Sequence, residues 1–146
     1  MLTCEQAFPN RVAGVIRSDD PEPAFPACAA ALEVQGRRSG RPITFPVVIA
    51  DYDGERYLVS MLGEKANWVH NVRAAGGRAV LRHGLRETIR LEEVAVESRP
   101  PILRRYLAVA PGARPHIPVN RHAALEEFAG IAAQIPVFRI TSAPVE

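Results

Sequence analysis

Two short segments hold the residues best suited to chemistry. The first, Gly36-Arg37-Arg38-Ser39-Gly40-Arg41-Pro42, sets three guanidinium groups and several backbone amides into a bend punctuated by glycine and proline. Arginine presents a rigid fork of donors, so this bend is either a cradle for a phosphate or polycarboxylate or a charged hairpin tip facing solvent. The second runs from Ser60 through Asn71. There a strand end, a bend at Gly63 and a helix start would gather amides at one helix N-terminus, a place that favours an anion. Asn67 and Asn71 can add side-chain donors, although Asn67 equally suits a helix cap and Trp68 a packing role.

Other chemistries lack their residues. The histidines, His70, His83, His116 and His122, show no HExxH or Cys/His ligand spacing, and Cys4 and Cys28 have no metal-type spacing, so no metal site is expected. His116, in the loop from Pro111 to Pro118, could donate a proton, but it also suits an ordinary exposed loop position. There is no nucleophile elbow, no GxxxxGK loop, no GxGxxG and no Ser/His/Asp motif, which removes support from hydrolase and nucleotide-triphosphatase readings. A net charge of +2 does not by itself argue for nucleic acid. Lys65 is the sole lysine among the basic residues. No apolar run approaches the roughly 18 residues of a membrane span. The start Met1-Leu2-Thr3-Cys4-Glu5 has no basic leader, so a soluble, cytoplasmic protein is expected.

The elements that must position these segments read mainly as strands. With 146 residues the chain has room for one domain. Residues 1–27, with Pro9, Pro21, Pro23 and Pro26 and at most one helix around Glu5 to Arg17, form an N-terminal arm, and residues 28–146 form the domain. Strands are expected at 30–34, 43–52 and 56–61, the last two joined by a tight hairpin at Asp53-Gly54. A helix capped by Asn67, with Trp68, Asn71, Val72 and Ala75 on one face, ends at Gly76-Gly77. Strands follow at 78–83 and 87–96, and a change of hydrophobic phase at Glu92-Glu93 predicts a β-bulge. Pro100-Pro101 opens a helix to about Val109. A further helix at 121–133 would bury Leu125, Phe128 and Ile131, and 136–141 alternates as a closing strand. Six strands linked mostly by hairpins predict an antiparallel barrel flanked by helices, since closure removes exposed edges.

In this order, the Gly36-Arg37-Arg38-Ser39-Gly40 turn, the Asp-Gly hairpin, Gly63, Asn67-Trp68-Val69-His70-Asn71-Val72-Arg73-Ala74 and Pro136-Val137-Phe138-Arg139-Ile140 carry a resemblance. Over residues 30–141 the chain resembles the deazaflavin-dependent nitroreductase family of actinobacteria. The resemblance implies a mainly-β split β-barrel, similar to the FMN-binding pyridoxamine-phosphate-oxidase fold, with coenzyme F420 held along a groove. It implies that Arg37, Arg38, Ser39 and Gly40 hold the coenzyme's phosphate or glutamate tail, with Arg41 close by. Thr44 and Pro46 on the next strand, together with Gly63, belong to the same contact set. Ser60 and Met61 would border the ring, and Asn67, Trp68 and Asn71 would flank ring and phosphate.

The implied activity is hydride transfer between F420 and a small enone, quinone-like or nitro substrate. The coenzyme carries that chemistry, which explains the shortage of acid-base motifs. An FMN enzyme of the same fold, or a non-enzymatic carrier of a deazaflavin or other anionic ligand, are the alternatives. The chain departs from the family pattern at Met61, where a lysine is frequent, and at Ile43, where a basic residue is. Over residues 106–118 only Tyr106 and His116 stand where a tyrosine-rich substrate segment is usual, and they are the candidate proton donors. Barrels of this kind commonly pair, so a homodimer is expected as well.

Overall fold

The computed structural model describes residues 29–142, and the expected arm over 1–27 with its helix lies outside them. The strands are β1 (Ala29–Gln35), β2 (Pro42–Val48), β3 (Ala50–Tyr52), β4 (Glu55–Val59), β5 (Arg78–Arg82), β6 (Arg86–Glu93) and β7 (Val137–Ser142). The α-helices are α1 (Asn67–Ala74), α2 (Arg99–Val109) and α3 (Leu125–Ala129), with short 3-10 turns between.

All pairs are antiparallel, in the order β2-β1-β5-β6-β7-β4-β3. The two outermost strands are consecutive in sequence, separated only by Ile49. A flat sheet of seven strands would set its edges about 29 Å apart, a gap that one residue, spanning about 3.5 Å, cannot bridge. The sheet must therefore curl until its edges meet, and the fold is a split barrel of mainly β character. The strand expected over 43–52 is in fact two, bent at Ile49, whose side chain is buried in the interior. Because β2 and β3 are successive pieces of one segment, they meet without pairing, so the barrel is not closed by hydrogen bonds as the sequence pattern predicts.

The Asp53-Gly54 hairpin forms as expected, with φ of 52° and 81°, the positive angles that its tight turn requires. The bulge at Glu92-Glu93 does not form. Pairing of β6 with β7 runs unbroken from Ile89 opposite Ser142 to Glu93 opposite Phe138. The change of phase marks the strand's end instead: Val94 still donates to the Val137 carbonyl (2.8 Å), and the chain then leaves through a 3-10 turn at Val96–Ser98.

Alternation divides the core between two faces. Leu58 points into the barrel with Leu32, Val34, Leu81, Ile89 and Phe138, and Val69 and Val72 of α1 pack against the same interior. Its neighbours Tyr57 and Val59 point outward, against Leu103, Tyr106 and Leu107 of α2 and Phe128 of α3. The helix expected over 121–133 shrinks to the five residues of α3, followed by a 3-10 turn. Barely more than one turn can aim only one side chain at α2, so Phe128 is buried while Leu125 stays 37% exposed and Ile131 half-buried.

Away from α1 the barrel interior ends in a polar plug. Arg56 of β4 reaches across β7 to hold Glu87 of β6 through two hydrogen bonds (3.0 and 2.8 Å), and His83 Nε2 meets the same carboxylate at 3.0 Å. The Arg56 hydrogen bond dominates in holding the Glu87 carboxyl down at about 2 from its ordinary 4.5, with His83 adding to it against the opposing effect of burial. A depressed acid stabilises the fold fully above its unfolded value and loses that contribution as it protonates. Denaturation midpoints should therefore fall as pH drops from 4.5 towards 2. In Glu87→Gln that part of the acid dependence should vanish, and an unchanged profile would remove the plug's role.

Candidate functional site

The arginine bend and α1 lie at the same rim of the barrel, and the bend is closed on itself. Gly36 N–H donates to Arg41 O (2.8 Å), Gly40 N–H to Gly36 O (2.9 Å) and Arg41 N–H to Ser39 Oγ (3.2 Å). A side chain at Gly36 would have to displace its neighbours, since a Cβ there would meet Ser39 Oγ at 2.8 Å and Ile43 Cδ1 at 3.1 Å.

Asn71 joins the two segments. Its Oδ1 accepts from the Arg37 backbone N–H (3.1 Å) and from Arg37 Nη1 (2.8 Å), a contact across 34 residues of sequence. Because both partners are donors, the amide orientation is fixed, and Nδ2 is left as a donor without a partner among the described residues. Asn71 is 5% exposed, so the accepting side of the clamp is buried while Arg37 reaches it from the surface. The clamp was not legible as such: nothing in local spacing reports a side-chain bond between a turn and a helix so far apart.

The other two arginines of the bend are uncompensated among the described residues. Arg38 and Arg41 are exposed, and neither guanidinium has a carboxylate or hydrogen-bond partner among the described residues, whereas Arg56, Arg73, Arg86, Arg99 and Arg105 are each paired with an acid. Arg73 is the centre of a network beside the rim, bonding Glu64 (2.9 Å) and Glu93 (2.7 Å) and tying the last turn of α1 to the 3-10 turn Gly63–Lys65 and to the end of β6. The Arg73 hydrogen bond holds the Glu64 carboxyl below its usual range, and the two carboxylates together raise the guanidinium's pKa.

Ser60 shapes the rim from within. It is fully buried, its hydroxyl donates to Gly63 O (2.7 Å), and its own N–H is held by Pro136 O (3.0 Å), so its polar groups are spent on the bend. The bend instead presents Met61, 36% exposed, and Leu62, 60% exposed, as an apolar lip. Leu62 escapes a sequence reading because an apolar residue next to a glycine bend looks like ordinary core. Trp68 is half-buried, with ring centroids 5.9 Å from Phe45 and 5.5 Å from Phe138, in tilted geometry at the barrel mouth.

Asn67 is the first residue of α1 and not its cap; Ala66 holds the cap position, without a side-chain bond. The Asn67 side chain is exposed and makes no hydrogen bond among the described residues. Thr44 and Pro46 are exposed and alternate along β2 with Phe45 and Val47, which pack on the interior, so they face away from Trp68. Tyr106 belongs to the outer cluster, across the sheet from Trp68, and burial pushes its hydroxyl up to about 12. His116 is exposed at the end of the 3-10 turn Pro111–His116.

Two free guanidinium groups, unspent amide donors and an apolar lip beside a tryptophan fit a ligand with an anionic tail and a flat ring. The clamp should be measurable on its own. Asn71→Ala strips the acceptor from two hydrogen bonds, one charge-assisted, and should cost about 1–3 kcal/mol of stability by chemical denaturation. Asn71→Asp, which keeps an acceptor for Arg37, should cost less; equal losses would mean that the side chain's packing, and not its oxygen, holds the turn.

Residues 23–112 match the family described as F420H(2)-dependent quinone reductase. No curated protein matches the chain. Among solved structures it is similar to a protein of unknown function from Agrobacterium tumefaciens, with a TM-score of 0.58 and 17% identity over 81% of this chain and 49% of that one. It therefore spans about half of that protein's length. A structure described as a domain-swapped dimer follows at a TM-score of 0.54 and 15% identity, covering 78% of this chain and 80% of that one. An F420-H2-dependent reductase has a TM-score of 0.52 and 16% identity, with 78% and 94% covered. At these identities the structures show a shared fold.

Proposed function

Since the chain belongs to the F420H(2)-dependent quinone reductase family, we propose that it binds deazaflavin F420 at the arginine rim and transfers hydride between that coenzyme and a small enone, quinone-like or nitro-substituted molecule. The observation that carries this reading is the Arg37–Asn71 clamp, which holds the uncompensated Arg38 and Arg41 at the mouth where Trp68 lies.

In this reading Arg38, Arg41 and the amides of the bend take the phosphate or carboxylate tail, and Asn71 Nδ2 and Asn67 add donors. Met61, Leu62 and the exposed edge of Trp68 border the ring and keep water from it. Bound F420 would give or take the hydride, and the chain would align donor and acceptor. Thr44 and Pro46 face elsewhere and take no part. Of the two proton-donor candidates, His116 is the one open to solvent, and Tyr106 lies across the sheet.

A homodimer belongs to the same reading, supported by the structural relative described as a domain-swapped dimer and by the outer edge of β2, which pairs with no strand among the described residues. No described helix is long and apolar enough to cross a membrane; we place the protein in the cytoplasm. The test is turnover: reduced F420 mixed with the protein and, in turn, a quinone, an enone and a nitroarene. Acceptor-dependent return of oxidised F420 with at least one of them is expected. Coenzyme binding without turnover on any would make the protein a carrier and overturn the enzymatic reading.

A further inference from the structure

A cavity of about 630 Å³ opens on the outer side of α2, lined chiefly by Tyr52, Arg104, Arg105, Arg114, Arg121 and His122. This size lies within the range of small-molecule sites. Tyr52 ends β3, while the arginine bend precedes β2, so the two places are separated by the whole β2–β3 segment, up to roughly 33 Å of extended chain. The rim described above does not include any of these residues.

Two of the four arginines are already locked in place. Arg105 Nε and Nη2 grip Asp51 Oδ1 (3.2 and 2.8 Å), and Arg114 Nε and Nη2 donate to the α2 carbonyls of Leu107 (2.9 Å) and Ala108 (3.4 Å). In each, Nη1 makes no hydrogen bond among the described residues. Arg121 Nε donates to His122 Nε2 (3.0 Å), so that ring nitrogen accepts, and neither terminal nitrogen of Arg121 has a hydrogen-bond partner among the described residues. Arg104 is exposed and unpaired among the described residues. Among the described residues Asp51 is the one carboxylate paired with this set, which leaves three guanidinium groups without a described acid around one concavity. Like charges gathered this way repel one another unless an anion joins them. Arginines fixed beforehand lose little freedom when they bind. The exposed ring of Tyr52 adds a flat apolar wall.

We propose that this cavity is a second binding site, distinct from the coenzyme rim, for a small polyanion bearing a diphosphate group. Two linked phosphates carry roughly three negative charges near neutral pH, matching the uncompensated guanidinium groups. The site does not depend on what the rim binds. Its test is calorimetric titration of the full chain with inorganic pyrophosphate, and separately with ADP, at low ionic strength. One saturable equivalent of pyrophosphate is expected. Arg104→Ala with Arg121→Ala should weaken it at least tenfold while leaving the melting temperature and F420 affinity unchanged, since both side chains are exposed and neither is paired with an acid among the described residues. Tighter ADP than pyrophosphate would identify an organic diphosphate resting on Tyr52, and equal affinity a free one; both support the site. Absence of saturable binding overturns it. So does an affinity lost in Arg38→Ala with Arg41→Ala but kept in the Arg104/Arg121 variant, which would place the anion at the rim.

Discussion

Replacing Arg38 and Arg41 together by alanine is expected to weaken F420 binding about 100-fold while leaving thermal stability nearly unchanged. Each guanidinium is free of acid partners among the described residues, so its hydrogen bonds are available to an incoming anion at full value. A charge-assisted hydrogen bond contributes about 1.5–3 kcal/mol, and the lower figure suits exposed side chains, giving roughly a factor of ten for each. Stability should move by less than about 0.5 kcal/mol because both side chains are exposed and no described residue bonds either guanidinium. Arg37→Ala should behave differently. That side chain is bonded to Asn71, so its loss should lower stability and affinity together. If the Arg38/Arg41 variant binds F420 as tightly as the parent, the bend is a solvated hairpin tip.

Arg99→Met is expected to destabilise the protein by about 3–5 kcal/mol, the range for breaking a buried, hydrogen-bonded charge by removal of one partner. Arg99 is 4% exposed at the start of α2. It donates to Val94 O (2.9 Å), Ala132 O (2.9 Å) and Ile135 O (3.2 Å), and meets Glu93 at 3.2 Å. One side chain thus joins the end of β6, the start of α2 and the segment leading into β7. Methionine fills similar space but donates nothing, which strips the side-chain donor from the Val94 and Ile135 carbonyls and leaves Ala132 O with the Ile135 N–H alone (3.2 Å). Arg99→Lys should be nearly as costly, since an ammonium cannot reproduce the fork's several directions. A urea-midpoint shift equivalent to under 1 kcal/mol would show that water or rearrangement replaces these bonds.

The contrast between these arginines shows what local pattern can reveal. Arg37 and Arg38 stand out because glycines and a proline surround them, and turn chemistry is a short-range signal. Arg99 precedes a proline pair and reads as a polar residue at a helix start; its burial follows from β6, α2 and the segment before β7 converging, which no window of sequence contains. The Asp53-Gly54 hairpin and the span of α1 are legible for the same short-range reason. The bend at Ile49 is not, because alternation tells which face a side chain takes but not which edge of a sheet its strand joins. At Glu92-Glu93 a change of phase has two physical causes, an extra residue in the ladder or the end of the ladder, and only pairing with β7 separates them. The site divides likewise. Trp68, Asn71 and the bend are readable as a set through the family resemblance, but the spent hydroxyl of Ser60 and the lip at Leu62 depend on how the chain turns at Gly63.

The proposed reading makes this rim a deazaflavin site. Its most direct test is titration of the purified protein with oxidised F420 beside FMN, followed by fluorescence or calorimetry. Saturable binding of F420, clearly tighter than FMN and weakened in the Arg38/Arg41 variant, is the predicted result. Preference for FMN, or binding of neither coenzyme at low ionic strength, would contradict it.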